Sequence, residues 1–192
     1  MNVPVIKLRE LTLDDVEDRY QWSLDKEVTK HLVVPDQYPP FTRDETKRWI
    51  EMCIHRENRY EQRAIIAEDG MHIGWVDLKN FDKTNKNAEL GIAIGNKEYW
   101  GRRYGMAALY SMLQIGFYEF GLEKVWLRVD ADNRKAIKSY KKAGFVCEGI
   151  MRRDRVRNGT FIDRYRFSIL RDEYKNNVNF KFRVHKLSYY CI

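Results

Sequence analysis

A basic segment that contains glycine and alanine precedes an apolar helical stretch and could bind an anion. Its residues are Arg102, Arg103, Tyr104, Gly105, Met106 and Ala107. Such a turn exposes backbone N–H groups at the positive end of a helix dipole, and small side chains let a phosphate approach the backbone. Taken alone, the same glycine and alanine are also explained by close packing at a helix start.

Two other residues could move protons. A phenol with a pKa of about 10 is protonated at neutral pH, so Tyr140 can donate a proton. Glu89 directly precedes Leu90. If Leu90 faces the core, strand alternation places Glu89 on the opposite face, toward solvent or a cleft. On their own, a helical tyrosine is more often a packing residue and a strand carboxylate more often an exposed one.

The first third of the chain is predicted to hold a strand and two helices. Residues 5–9 are predicted as the strand, and Thr12 is predicted to cap the first helix because acidic residues follow it. A proline-rich loop at 35–40 precedes a second helix, which is predicted to start at Thr42 and to run to about residue 55.

The middle of the chain has the alternating residue pattern that is typical of β-strands. Residues 63–67 and 72–78 flank an Asp69-Gly70 turn, and a third strand is predicted at 88–94. These three strands predict an antiparallel meander.

The last part of the sheet follows two predicted helices. A helix at 104–120, a strand at 124–129 and a helix at 133–143 predict one parallel strand pairing. Two antiparallel strands at 145–157 and 160–170 then form a hairpin.

Together these elements predict one mixed α/β domain over residues 1–174. Its expected core is a twisted, mostly antiparallel mixed sheet of about seven strands, flanked by helices. Residues 175–192 are predicted to be a tail or an edge strand and have no assigned role.

Two segments resemble the cofactor motifs of the GNAT N-acetyltransferase superfamily, in the order of that superfamily. Residues 102–107 resemble its Arg/Gln-x-x-Gly-x-Gly/Ala pyrophosphate motif, and residues 133–145 resemble Asn-x-x-Ala-x-x-x-Tyr-x-x-x-Gly-Phe. The resemblance covers roughly residues 5–172. It is closest to the branch that contains ribosomal-protein-alanine, spermidine and amino-sugar acetyltransferases.

The resemblance implies acetyl-CoA as cosubstrate. The backbone amides of Arg103, Gly105 and Ala107 would surround its pyrophosphate, within the turn that also holds Tyr104 and Met106, and Arg102 would add charge. The pantetheine arm would lie between two splayed strands, against the backbone of Ile92 and Ile94 and the side chain of Asn133.

The resemblance also implies catalytic roles. Tyr140 would protonate the leaving thiolate, and Glu89 is the candidate base for the amine or for a bound water. Because the thioester is already activated, direct attack by a primary amine suffices, and Cys147 need not act as a nucleophile.

The acceptor is predicted to be a small amine, either a polyamine or an amino sugar. An acidic pocket would favour a polyamine, whereas Arg152 and Arg155 would favour a nucleotide-linked amino sugar. A protein N-terminus, as in the ribosomal-protein enzymes, is the alternative acceptor. Trp22 or Tyr38 would line this pocket.

The net charge of +7 supports a rival interpretation as a nucleic-acid-binding module. The arginine-rich run at 152–157 alternates on a strand, and a solvated sheet edge explains it without a ligand, so no specific nucleic acid is predicted. The scattered histidines and three cysteines predict no metal site. The sequence further predicts a soluble, cytoplasmic protein without a membrane partner and leaves a homodimer open.

Overall fold

A computed structural model of the chain describes residues 3–55 and 60–176. Its strands are β1 (Ile6–Glu10), β2 (Glu61–Ala67), β3 (His72–Asp82), β4 (Asn87–Ile94), β5 (Lys124–Asp130), β6 (Val146–Arg157) and β7 (Thr160–Leu170). They form one seven-stranded sheet in the order β1-β2-β3-β4-β5-β7-β6. Within the described residues only β4 and β5 pair in parallel, which confirms the mixed, mostly antiparallel sheet and the meander of β2, β3 and β4.

Helices flank this sheet. They are α1 (Asp15–Leu24), α2 (Lys26–Thr29), α3 (Arg43–Ile54), α4 (Tyr104–Gln114), α5 (Arg134–Lys142) and α6 (Arg171–Asn176). The predicted helix at 104–120 is divided, because α4 continues as a π-helical turn at Ile115–Glu119. Among the residues described, no helix is long and apolar enough to span a membrane. The short α6 crosses the predicted boundary at residue 174, and residues 177–192 of the predicted tail lie outside the described residues.

The sheet has a hydrophobic cluster on each face. Ile65 of β2 belongs to the larger cluster, which also contains Leu113 of α4. The adjacent Ala64 belongs to a second cluster with Val16 of α1 and Ile50 of α3. Since successive strand residues point to opposite faces, α4 covers one face and the α1–α3 pair covers the other.

The parallel pairing of β4 and β5 is short. It comprises Asn87 with Lys124, Ala88 with Val125, and Glu89 with Trp126. Beyond these pairs β4 continues to Ile94 and β5 continues to Asp130. The two strands therefore diverge in the middle of the sheet, as the GNAT resemblance implies.

The two predicted helix starts have different outcomes. The Thr42 side chain accepts from the Glu45 amide and the Glu45 side chain accepts from the Thr42 amide, so the predicted start of α3 is confirmed as a capping box. The prediction for Thr12 is wrong, because α1 begins at Asp15 and its N-cap residue makes no side-chain cap bond.

A tertiary ion pair explains the shifted start of α1. The Asp15 carboxylate accepts two hydrogen bonds from the Arg9 guanidinium, at 2.8 and 2.6 Å, and a third from the Thr12 amide at 2.9 Å. Asp15 thereby ties the first turn to β1, and the Thr12 hydroxyl is not needed as a cap.

The two threonines provide a matched stability test. We expect Thr42→Ala to lower the free energy of unfolding by about 1 kcal/mol, because it removes a cap acceptor at α3. Thr12→Ala should change it by less than about 0.5 kcal/mol, as is usual for an exposed side chain without a cap bond. Urea denaturation of both variants measures the difference. Equal losses would contradict the assigned start of α1.

Candidate active site at the diverging strands

A cavity of about 1650 Å³ opens where β4 and β5 separate. Its lining includes the turn before α4, with Gly101, Arg103 and Gly105, and also Trp22 of α1 and Asp77 of β3. Pockets for a single small ligand usually measure roughly 300–1,000 Å³. The cavity is therefore large enough for more than one small ligand.

The start of α4 presents unpaired backbone donors to this cavity. Gly101 and Arg103 adopt left-handed conformations, with φ of 73° and 69°, and they turn the chain sharply into the helix. The first helical bond runs from the Ala107 amide to the Arg103 carbonyl at 3.1 Å. The amides of Tyr104, Gly105 and Met106 therefore have no acceptor inside the helix and can bind an anion.

Gly105 keeps the approach to these amides open. A Cβ atom built at this position would have Ile94 Cγ1 at 3.9 Å and Ile92 Cδ1 at 4.0 Å as its nearest neighbours. Packing within the protein therefore does not require a glycine here. A close approach of a ligand to the backbone does explain it.

Two residues of the predicted anion turn are placed differently from the expectation. The amide of Ala107 already donates to the Arg103 carbonyl, so a pyrophosphate contact from this amide would compete with that bond, and its predicted role stays a prediction. The side chain of Arg102 is exposed, lies over the rings of Tyr99 and Tyr104 at 5.4 and 5.7 Å, and does not line the cavity. Arg103 lines the cavity in its place.

Ile92, Ile94 and Asn133 all line the cavity, as predicted from the second motif and the strand. The Ile94 carbonyl already accepts from the Trp100 indole N–H at 2.8 Å. Asn133 caps α5 through its side-chain oxygen, which accepts from the Ala136 amide at 3.2 Å. Its side-chain NH₂ group remains available, and the predicted role of these three residues in holding a ligand stays a prediction.

Tyr140 of α5 contributes a phenol to the same cavity. The side chain is half-buried, and the centroid of its ring lies 5.9 Å from that of Phe145. Within the described residues its hydroxyl makes no hydrogen bond. Burial and the nearby Asp77 carboxylate raise the pKa of Tyr140 to about 12. The phenol is therefore protonated at neutral pH and free to donate.

Glu89 is in the cleft, not in solvent. Leu90 is 3% exposed within the core, and Glu89 is 5% exposed on the opposite face, as strand alternation predicts. Its two carboxylate oxygens accept from Arg128 at 2.9 and 2.8 Å, and one of them also accepts from Asn80 at 2.7 Å. Glu89 could accept a proton only in competition with the three hydrogen bonds that its oxygens already accept. Its predicted catalytic role stays a prediction.

Asp77 is a second buried carboxylate of the cavity, and the sequence interpretation missed it. It is 3% exposed. Lys79 Nζ lies 3.2 Å from Oδ1, but without hydrogen-bond geometry, so Oδ1 has no hydrogen-bond partner. Gln62 donates weakly to Oδ2 at 3.5 Å. Directly across the β3–β4 ladder, a Cβ on Gly91 would come within 2.7 Å of Oδ2, so this glycine makes room for the carboxylate.

The arginine-rich run folds inward at its end. Arg155 and Arg157 bind the buried Asp130 at 3.1 and 2.9 Å, and Arg157 also binds Asp132 at 2.7 Å. A register shift between Met151 and Arg155 turns these side chains toward the end of β5. The prediction of a solvated edge is therefore wrong for both arginines.

Asp130 and Asp132 also form a group with His31 that has the composition of a metal site. Their nearest ligand atoms lie within 4.8 Å of one another. Because Arg155 and Arg157 already contact these carboxylates, the acidic charge of the group is compensated by protein cations.

Of the two aromatic residues predicted to line the acceptor pocket, one lines the cavity and the other does not. Trp22 lines the cavity, and its ring would lie 2.0 Å from a Cβ on Gly95, so that glycine is required by the tryptophan. Tyr38 is 63% exposed and lies outside the lining.

Known proteins share this sequence pattern and fold. A Bacillus licheniformis protein named Uncharacterized N-acetyltransferase p20 is 29% identical over 175 residues, which cover 88% of this chain and 94% of that protein. The spermidine N(1)-acetyltransferase of Escherichia coli (strain K12) is 29% identical over 169 residues, covering 88% of each chain.

A solved structure has the same fold. The spermidine N-acetyltransferase of Vibrio cholerae, in complex with CoA and spermine, superposes with a TM-score of 0.80 and 25% identity, covering 89% of this chain and 98% of that one. A family model described as Acetyltransferase (GNAT) domain matches residues 6–146. With the diverging strands, the helix start and both sequence motifs in place, the chain belongs to the GNAT family of N-acetyltransferases.

Proposed function

We propose that the chain transfers the acetyl group of acetyl-CoA to a primary amine of a small molecule. The observation that carries this proposal is that the free amides of Tyr104, Gly105 and Met106 and the hydroxyl of Tyr140 open onto one cavity. The amides suit the pyrophosphate of the cosubstrate, and the divergence of β4 and β5 suits its extended arm.

Acetyl-CoA supplies an activated thioester. The amine nitrogen forms a bond to the acetyl carbon, the carbon–sulfur bond breaks, and the sulfur leaves with the bonding electron pair. Tyr140 donates its phenolic proton to that sulfur, which neutralises the leaving group. The role of the protein is otherwise to align the two reactants in the cavity, so no covalent intermediate on the enzyme is needed.

The proton lost by the amine needs an acceptor, for which Glu89 and Asp77 are the two candidates. Glu89 accepts from Arg128 and Asn80 through both oxygens. Asp77 is equally buried, and its Oδ1 contacts the Lys79 ammonium at 3.2 Å but accepts no hydrogen bond. The geometry favours Asp77 as the base and Glu89 as a residue that positions Arg128.

For the acceptor, a polyamine has the support of the spermidine acetyltransferases to which the chain is similar. The pocket itself is not strongly acidic, because Glu89, Asp77 and Asp130 each have a cationic partner. An amino sugar linked to a nucleotide loses part of its support, since Arg152 does not line the cavity and Arg155 is bound to Asp130. A small amine remains the acceptor that we propose.

The rival functions have less support. The inward orientation of Arg155 and Arg157 removes two cations from the surface that a nucleic-acid module would use. A protein N-terminus as acceptor has no specific contact in its favour. The cytoplasmic location and the homodimer remain predictions.

The anion site is tested by Gly105→Val. We expect acetyl-CoA to bind the wild type with micromolar affinity and this variant at least about tenfold more weakly, a loss of about 1.4 kcal/mol, because a branched side chain blocks the amides. Isothermal titration calorimetry measures both. Ser111→Val places the same side chain on α4 outside the cavity lining and should bind normally. Equal binding by all three proteins would refute this site.

The proton donor is tested by Tyr140→Phe. Because a general acid contributes about 10²- to 10⁴-fold, we expect kcat to fall on the order of a hundredfold, with the melting temperature and acetyl-CoA affinity unchanged. A free-thiol assay on a competent amine gives kcat. Tyr118→Phe, at a residue that is 54% exposed and outside the cavity, is the control. A fall of less than about tenfold with several acceptors would leave Tyr140 a packing residue.

The base is tested by Asp77→Asn against Glu89→Gln. We expect Asp77→Asn to lower kcat by about a hundredfold or more. Glu89→Gln should lower the melting temperature more than kcat, because it leaves Arg128 without its counter-charge. The assay is again thiol release, with thermal unfolding on the same preparations. The reverse ranking in kcat would return the role of base to Glu89.

A further inference from the structure

Arg19 of α1 is a cation of the cavity that has no ion pair with a carboxylate among the described residues. Its guanidinium carbon stacks 3.6 Å from the centroid of the Trp75 ring, which fixes the plane of the group. Within the described residues its one hydrogen bond runs from Nη1 to the neutral amide oxygen of Gln62, at 3.3 Å. A guanidinium has five N–H donors, so most of its donor capacity is unused.

The carboxylates near Arg19 already have partners. Asp15 receives two hydrogen bonds from Arg9 and lies 3.2 Å from His72. Asp77 has the Lys79 ammonium at 3.2 Å. Burial lowers the pKa of Arg19 to about 10, which reflects how poorly its charge is compensated. Burial of a charge costs free energy unless the charge is paired, and residues 3–55 and 60–176 do not supply an ion pair for Arg19.

The unused donors are reachable from the acceptor side of the cavity. Arg19 lines the cavity with Trp22, Trp75 and Asp77. The residue is partly exposed, and its Nε and Nη2 atoms make no hydrogen bond within the described residues. The planar fork of a guanidinium matches a carboxylate or a phosphate through two parallel hydrogen bonds.

We propose that Arg19 binds an anionic group carried by the acceptor, so that the substrate is an amine that also bears a carboxylate or a phosphate. The proposal rests on the proposed function, whose acceptor class it narrows. A polyamine lacks such a group and would bring a further positive charge toward Arg19. Asp77, on the neighbouring strand surface, suits the ammonium end of the same molecule.

Matched pairs of amines test this proposal. L-ornithine differs from putrescine by its carboxylate, and glucosamine 6-phosphate differs from glucosamine by its phosphate. We expect the anionic member of one pair to have a kcat/KM at least about tenfold higher with the wild type, because a hydrogen bond to a charged group contributes that much. The pair that shows the preference identifies the anion as carboxylate or phosphate.

Two variants assign the preference to Arg19. Arg19→Gln should abolish the preference for the anionic amine. Arg19→Lys keeps the charge but loses the planar fork, so it should reduce the preference. The lysine variant remains informative if the glutamine variant does not fold. Arg152→Gln is the control, because Arg152 is an exposed arginine outside the lining of the cavity. Its preference should equal that of the wild type.

The outcomes separate the two proposals. If the wild type had an equal or higher kcat/KM with putrescine than with L-ornithine, and with glucosamine than with glucosamine 6-phosphate, the role of Arg19 would be overturned. The proposed acetyltransferase function would stand. Retention of the preference in the folded Arg19 variants would do the same. Absence of turnover with every amine, or of acetyl-CoA binding, would overturn the proposed function and this inference with it.

Discussion

The site depends on the short parallel contact between β4 and β5. The two strands hold together over three residue pairs and then separate, which leaves backbone on their inner edges without a neighbouring strand. Buried backbone groups require hydrogen-bond partners, so an extended ligand between the strands would complete the sheet. The same divergence allows the start of α4 and the phenol of Tyr140 to reach one cavity from the same face. Loss of the divergence would remove the cavity and with it every contact that we assign to the ligands.

Charge compensation organises the other side of the cavity. The buried carboxylates of Glu89, Asp77 and Asp130 each face a lysine or an arginine, so most of the local charge is neutralised within the protein. Such pairs are often retained for specificity more than for stability, because desolvation offsets much of their attraction. Arg19 differs from them, since its only hydrogen bond to a described residue is to the neutral amide of Gln62. An uncompensated charge in an otherwise balanced pocket is where a ligand contributes most to recognition.

Local patterns predicted much of the fold and part of the site. Alternation and turn residues identified the strands and the face of Glu89, and a capping box identified the start of α3. The prediction for Thr12 is wrong because a tertiary ion pair between Arg9 and Asp15 overrides the local preference, and the prediction for Arg155 is wrong because of a β-bulge. Neither the ion pair nor the bulge has a signal in the local sequence. Asp77 was missed because its importance arises from its pairing with Gly91 across two strands. Asp77 and Glu89 can be assigned to one cavity only when the strand register is known. Alternation with Val76 and Leu78 could nevertheless have placed Asp77 on the cleft face.

The central claim is that the start of α4 and Tyr140 flank one bound acetyl-CoA. The most direct measurement is a crystal structure of the chain with acetyl-CoA. We expect pyrophosphate oxygens within hydrogen-bond distance of the amides of Tyr104, Gly105 and Met106, and the pantetheine arm between β4 and β5. The Tyr140 hydroxyl should lie within about 3.2 Å of the thioester sulfur, or be joined to it by one water. A pyrophosphate bound elsewhere, or a thioester remote from Tyr140, would contradict it.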